Sequence, residues 1–173
     1  RKILDPIAKR YFFVDDPIKL TVEDAPRLVV KLKHHPDAEL GYREIRTNGN
    51  FYISRRDLVE SGKLIRLKDL VNVKIMEAGD DEAVGRFAGR DLQEGISKVQ
   101  WTTNQKFPID VEVPDLLYKD GKPNERSLTI VKGYGEYACR ELQVGEHVQF
   151  ERFGVCRIDQ KNEHNLVACF THK

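Results

Sequence analysis

The sequence holds 173 residues, 33% of them charged and 40% apolar, with a formal net charge of +1 at pH 7. That length allows one substantial domain or two small ones with separate cores, and the composition argues against a disordered or low-complexity chain. No apolar run approaches the roughly 20 residues needed to span a bilayer and no signal-peptide pattern opens the chain, so no membrane association is expected and a cytoplasmic location follows.

The chain opens on Arg1, and its one methionine is Met76, so a start downstream of any initiator codon is expected. Only two short stretches, near Ile3–Lys9 and Arg56–Glu60, are candidates for helix. Leu28–Leu32, Phe51–Ile53 and Leu64–Leu67 are short β-compatible runs. Val71, Val73 and Ile75 alternate with Asn72 and Lys74, as Ile109, Val111 and Val113 do with Asp110 and Glu112. Leu128–Val131, Val148–Phe153 and Leu166–Phe170 complete the series. A period of two is the strand period, with one face buried and one wet. Turn signals separate the runs, at His35-Pro36-Asp37, Asn48-Gly49-Asn50, Ala78-Gly79-Asp80, Lys119-Asp120-Gly121 and Gly133-Tyr134-Gly135. Many short strands with regular turns predict an all-β protein, and at this length two small barrels rather than one large one.

Charge is unevenly spread. From Tyr42 to Lys74 there are eight Lys/Arg against four Asp/Glu, and from Glu77 to Glu94 six acids against two arginines. A basic face can therefore lie hidden behind the small net charge. Cys139, Cys156 and Cys169 are odd in number and lack C-x-x-C spacing, and His34, His35, His147, His164 and His172 supply no matching ligand pattern. Reduced structural thiols and no metal site are expected. The sequence contains neither a phosphate-binding G-x-x-x-x-G-K-[ST] loop nor a G-x-S-x-G elbow. No catalytic residue is assigned.

The opening run from Arg1 to Phe12, which includes Asp5-Pro6-Ile7-Ala8-Lys9-Arg10-Tyr11, resembles the start of the anticodon-binding region in glutamyl-tRNA synthetases of the archaeal/eukaryotic type. His35-Pro36-Asp37-Ala38-Glu39-Leu40-Gly41 resembles the family's His-Pro turn, and Gly62-Lys63-Leu64-Ile65-Arg66-Leu67-Lys68 its Gly-Lys-x-x-Arg-Leu-Arg strand. Lys98-Val99-Gln100-Trp101 and Val148-Gln149-Phe150-Glu151-Arg152-Phe153-Gly154 are similar to its Trp strand and its Gln-Phe-Glu-Arg segment. Each motif is weak alone; five in order along the chain are specific. The Tyr-Phe-Phe that follows Arg10 favours the glutamyl over the glutaminyl branch.

The resemblance implies two β-barrels of the ribosomal-protein-like six-stranded type with short helices. It places a sub-barrel boundary near residues 95–125, with the N- and C-terminal segments sharing the barrel nearest a catalytic half. It implies that the chain lacks the ATP- and Mg-dependent ligase chemistry, needs no cofactor itself, and binds tRNA(Glu), with tRNA(Gln) and synthetase-complex proteins as further partners. A glutaminyl enzyme and a free-standing barrel RNA-binding protein are the alternatives. By the same resemblance Arg10 and Gln149 meet the middle anticodon base, Arg66 and Lys68 the first, and Arg152 belongs to the same binding segment.

The chemistry suits the task, because splayed loop bases are read by stacking and by hydrogen bonds to their pairing edges. Arginine offers a planar donor fork and glutamine both a donor and an acceptor. A lysine at position 68 lacks that fork. The ordinary roles stand beside these: an exposed strand face for Arg66 and Lys68, a structural ion pair for Arg152, and a surface charge for Arg10. Gln149 and Arg152 are three apart, so both face one way only if the strand ends or bulges before Gly154. Trp101 and Tyr11-Phe12-Phe13 read as barrel core rather than stacking platforms.

Overall fold

A computed structural model describes residues 6–173. The strands in chain order begin with β1 (Lys9–Tyr11), β2 (Phe13–Asp15), β3 (Pro17–Glu23), β4 (Leu28–Lys33), β5 (Tyr42–Thr47) and β6 (Asn50–Ser54). Next come β7 (Leu64–Leu67), β8 (Asn72–Ala78), β9 (Glu82–Phe87), β10 (Ser97–Val99), β11 (Thr102–Thr103) and β12 (Lys106–Pro114). The last six are β13 (Tyr118–Lys119), β14 (Lys122–Pro123), β15 (Leu128–Glu136), β16 (His147–Phe150), β17 (Gly154–Lys161) and β18 (Leu166–His172). The helical content among the described residues is two 3-10 turns, Arg55–Asp57 and Tyr137–Glu141.

Two seven-stranded sheets carry the fold. The first runs β1-β16-β17-β18-β12-β15-β2, and the second β10-β7-β8-β9-β3-β6-β11. In each, the two edge strands are close in sequence, joined through Phe12 in one and through Gln100-Trp101 in the other, so each sheet curls toward itself. One closes nearly into a barrel and the other forms a half-barrel. The all-β expectation is met. The chain starts in the first sheet, builds the second from β3 to β11, and returns to the first at β12. The hairpin β4–β5 stands outside both sheets as a two-stranded ribbon.

The period of two explains the cores. Ile18, Leu20 and Val22 on β3 and Val73 and Ile75 on β8 fill one interior, around a fully buried Trp101. Ile109 and Val111 on β12, Val148 and Phe150 on β16 and Ile158 on β17 fill the other. Each such side chain contributes about 1.5–3 kcal/mol on leaving water. The aromatic run links the two: Phe12 enters the first of these cores, whereas Tyr11 and Phe13 enter the second. Phe12 meets the Trp101 ring at 5.7 Å, and Phe13 meets Phe150 at 5.0 Å.

Three local expectations are corrected. Gly133-Tyr134-Gly135 is not a turn but lies inside β15. A Cβ on Gly133 would strike the Val14 carbonyl and the Phe13 ring, and one on Gly135 would strike Ile109 and Cys139. The glycines therefore permit close approach rather than reversal. The run Val148–Phe153 stops as a strand at Phe150, where residues 151–153 turn. Of the two helix candidates, Arg56–Glu60 becomes the 3-10 turn Arg55–Asp57. In Ile3–Lys9, residues 3–5 lie outside the described residues, while 6–7 form a turn and Lys9 pairs with Val148. No helix among the described residues is long and apolar enough to cross a membrane.

Candidate nucleic-acid interface

Arg10 and Gln149 face each other directly. β1 lies parallel to β16 with Arg10 opposite Gln149, flanked by Lys9 opposite Val148 and Tyr11 opposite Phe150. Register neighbours on adjacent strands share a face. Tyr11, Val148 and Phe150 are buried in the core, so Arg10 and Gln149 point the other way, out of the barrel. Both are half-buried. The Gln149 Oε1 atom is shielded from solvent and has no hydrogen-bond partner among the described residues. A buried acceptor without a donor is costly.

Arg10 opens onto a cleft of about 610 Å³, which it lines with Lys31 and Lys33 of β4, Arg43 of β5 and Lys68. Asp69 and Glu151 are the acids on this wall. Lys68 sits in the turn after β7, where its ammonium is paired with the Glu151 carboxylate and lies 5.5 Å from the Phe12 ring centroid. Glu151 itself is held by its backbone N–H on the Tyr11 carbonyl at 3.0 Å. The cleft is thus lined by five basic side chains and two acids, with Arg43 paired to Glu136 behind it and Lys68 paired to Glu151.

The other two arginines named from the sequence pair with other groups of the chain. The Arg66 Nη1 atom donates to Asn72 Oδ1 at 2.9 Å and to the Arg90 carbonyl at 3.0 Å. Asn72, fully buried, continues the tie to the Asp91 carbonyl. Arg152 makes a bidentate pair with Asp57, both contacts at 3.0 Å. Its φ of +63° places it in the left-handed region, so the strand has indeed ended before it. Arg10, Gln149 and Lys68 are brought to one neighbourhood, whereas Arg66 and Arg152 brace the loop and turn around it.

Sequence reasoning passed over the buried ion pair that fixes Arg43, one of the cleft's residues. Arg43, on the inward face of β5, and Glu136, at the end of β15, are both buried. Arg43 Nε and Nη2 each donate to the Glu136 carboxylate at 2.8 Å, and Nη1 donates to the Lys33 carbonyl. Glu136 also accepts the Phe12 N–H at 2.7 Å. Burial alone would lower the Arg43 pKa, but the hydrogen bonds and charge of Glu136 outweigh it and raise the pKa above its ordinary value. Removing one partner of such a pair costs about 3–5 kcal/mol, because a buried charge is left alone. A single arginine between strand residues gives no sequence signal of burial; only the odd parity against Tyr42 and Glu44 hints at it.

His34, just after β4, lies beside this pair in a neighbouring pocket. It is buried against Tyr11, with ring centroids 4.9 Å apart, and its carbonyl accepts the Arg10 N–H at 2.7 Å. Burial, then the charges of Arg43 and Lys9, lower its pKa to about 4.

Residues 8–89 match the model of a family described as the anti-codon binding domain of class I (E and Q) tRNA synthetases, and residues 98–159 match a second model of the same description. Along its whole length the chain is 38% identical to a glutamate–tRNA ligase of Pyrococcus horikoshii and 39% identical to that of Pyrococcus furiosus. It is 36% identical to the glutamate–tRNA ligase of Nitrosopumilus maritimus. The chain spans about 30% of the length of each of these curated relatives.

Proposed function

The chain belongs to the family of class I (E and Q) tRNA synthetase anticodon-binding domains, and on that premise we propose that it holds the anticodon loop of tRNA(Glu) on behalf of a glutamate–tRNA ligase. The observation that carries this reading is the Arg10–Gln149 pair, in register on one outer face beside a basic cleft. The guanidinium supplies donors to a carbonyl edge or phosphate, and the Gln149 amide supplies a donor and a shielded acceptor to a pairing edge. Two such groups side by side match a pyrimidine edge, which presents both kinds of atom. Lys68 joins by exchanging Glu151 for an RNA phosphate. Its ammonium is a point charge, so it contributes affinity more than base identity.

The ATP- and Mg-dependent attachment of glutamate is assigned to the rest of the ligase, and the chain's own part is recognition. The same reading puts a sub-barrel boundary near residues 95–125, and the chain's passage from the second sheet back to the first between β11 and β12 supports it. A cytoplasmic setting, charging of tRNA(Gln) alongside tRNA(Glu), and docking into synthetase assemblies belong to the same reading.

Binding to RNA hairpins that carry the tRNA(Glu) anticodon loop, at moderate salt, tests it. The chain should prefer the cognate loop over one with a scrambled anticodon. Arg10→Ala and Gln149→Ala should each erase about 1–3 kcal/mol of that preference, with little loss of fold stability because neither side chain is in a core. Arg66→Ala and Arg152→Ala should change affinity less than Arg10→Ala does. Equal binding of the two loops by the unaltered chain would sink the readout.

A further inference from the structure

The exposed face of the β4–β5 ribbon carries Tyr42, which has no part in the reading above, beside two lysines that reach the basic cleft. On β4, Val29, Lys31 and Lys33 point outward, and on β5, Tyr42, Glu44 and Arg46 do so. Register places Lys33 opposite Tyr42 and Lys31 opposite Glu44. Tyr42 is a large aromatic ring left 48% exposed, and the Lys31 ammonium stands 4.7 Å from its centroid. Neither Lys31 nor Lys33 is within ion-pair distance of a carboxylate among the described residues. Both lysines line the same cleft as Arg10 and Lys68.

The ribbon is not loosely hung. Leu28, Val30, Leu32 and Ile45 on its inner face pack against the core around Trp101. Arg43 ties it to Glu136 and to the Lys33 carbonyl, and His34 ties its end to the backbone of Arg10. The outer face is therefore presented at a fixed distance from Arg10.

We propose that Tyr42, Lys31 and Lys33 form a second RNA contact, in which the Tyr42 ring stacks one unpaired base and the two lysines bind the phosphates that lead from it into the Arg10 cleft. The ligand is single-stranded RNA. An aromatic face beside unneutralised cations is the chemistry that single strands select, because every base has a π-face and every linkage a charge. A ring on a rigid ribbon loses little freedom when a base covers it. Glu44 and Arg46 pair with each other at 3.7 Å, which leaves the lysines as the net charge of this face. The assignment rests on the anticodon-loop reading for the identity of the RNA, but stacking here does not depend on which base Arg10 and Gln149 read.

Titration of the 173-residue chain with the cognate and scrambled hairpins over a range of salt concentrations tests it. Tyr42→Leu keeps apolar bulk on the strand and removes the π-face. It should weaken binding of both hairpins about tenfold at unchanged salt slope and unchanged thermal midpoint, and Tyr42→Phe should restore it. The double variant Lys31→Ala/Lys33→Ala should weaken both hairpins alike and lower the slope of log K against log salt by about 1.4. Wild-type affinity in Tyr42→Leu, or a loss that Tyr42→Phe does not restore, overturns the stacking contact. An unchanged salt slope in the double variant overturns the phosphate contact. If the unaltered chain fails to separate cognate from scrambled loops while Tyr42→Leu still loses affinity, the base-reading assignment fails and this one stands. Absence of any hairpin binding overturns both.

Discussion

At the scale of single residues, the buried polar groups do the most to shape this surface. His34 is a neutral imidazole held between Tyr11, Arg43 and the backbone of Arg10. In the unfolded chain it titrates near the ordinary histidine value of 6.5, and in the folded chain at about 4. Its folded pKa is the lower of the two, so the unfolded state binds the extra proton in the window between them. The stability it protects is fully present above pH 6.5 and is lost as pH falls toward 4, by an amount on the order of 3 kcal/mol. Urea unfolding at pH 7 and pH 4.5 should show wild type losing more stability across that interval than His34→Phe, which cannot titrate. Parallel losses in the two proteins would rule His34 out as the cause. The neighbouring Arg43–Glu136 pair draws its strength from geometry rather than from charge alone, with both carboxylate oxygens and the Phe12 N–H satisfied.

Among the elements, β15 decides how tightly the first sheet can curl. It pairs with β12 on one side and with β2 on the other, and at Gly133 it passes so close to β2 that a methyl group has no room beside the Val14 carbonyl and Phe13 ring. Backbone cannot move aside as a long side chain can. Gly133→Ala should therefore destabilise by about 1–3 kcal/mol, read as a fall in the denaturant midpoint at constant m-value. A neutral Gly133→Ala would show that β2 yields without cost. The same positions illustrate why the glycine pair was misread from sequence. A G-x-G pattern signals backbone freedom, but whether that freedom serves a turn or a close approach depends on what stands opposite. Elsewhere the alternation was legible: β8, β12 and β18 lie where Val73, Ile109 and Leu166 predicted them. Short strands such as β1 and β2, with three residues each, gave no period to read.

At the scale of the molecule, Tyr11-Phe12-Phe13 stitches two cores with one alternating run. Strand parity sends Phe12 to the core around Trp101 and its neighbours to the other, and the Trp101 indole N–H closes on the Lys68 carbonyl at 2.9 Å. Neither core can lose its lining without exposing the other. The chain should therefore unfold in one transition, with Trp101 fluorescence and far-UV circular dichroism giving the same midpoint. Phe12→Ala should cost about 3–5 kcal/mol and separate the two signals. Coincident signals in that variant, or separated ones in wild type, would show that the coupling runs elsewhere.

The sequence by itself determined the β class, the core positions and, through its motifs, the family and the residues to examine. These are properties of local period and residue type, and they survive without knowledge of what lies across the fold. Only the tertiary structure decided which candidates share a site. It set Arg10 beside Gln149 by a parallel pairing across 139 positions of chain, and it committed Arg66 to Asn72 and Arg152 to Asp57. It also buried Arg43 on Glu136, 93 residues away, and so fixed the ribbon that carries Tyr42. Pairing between distant strands is a matter of register and packing, and no local pattern encodes which partner a side chain will meet.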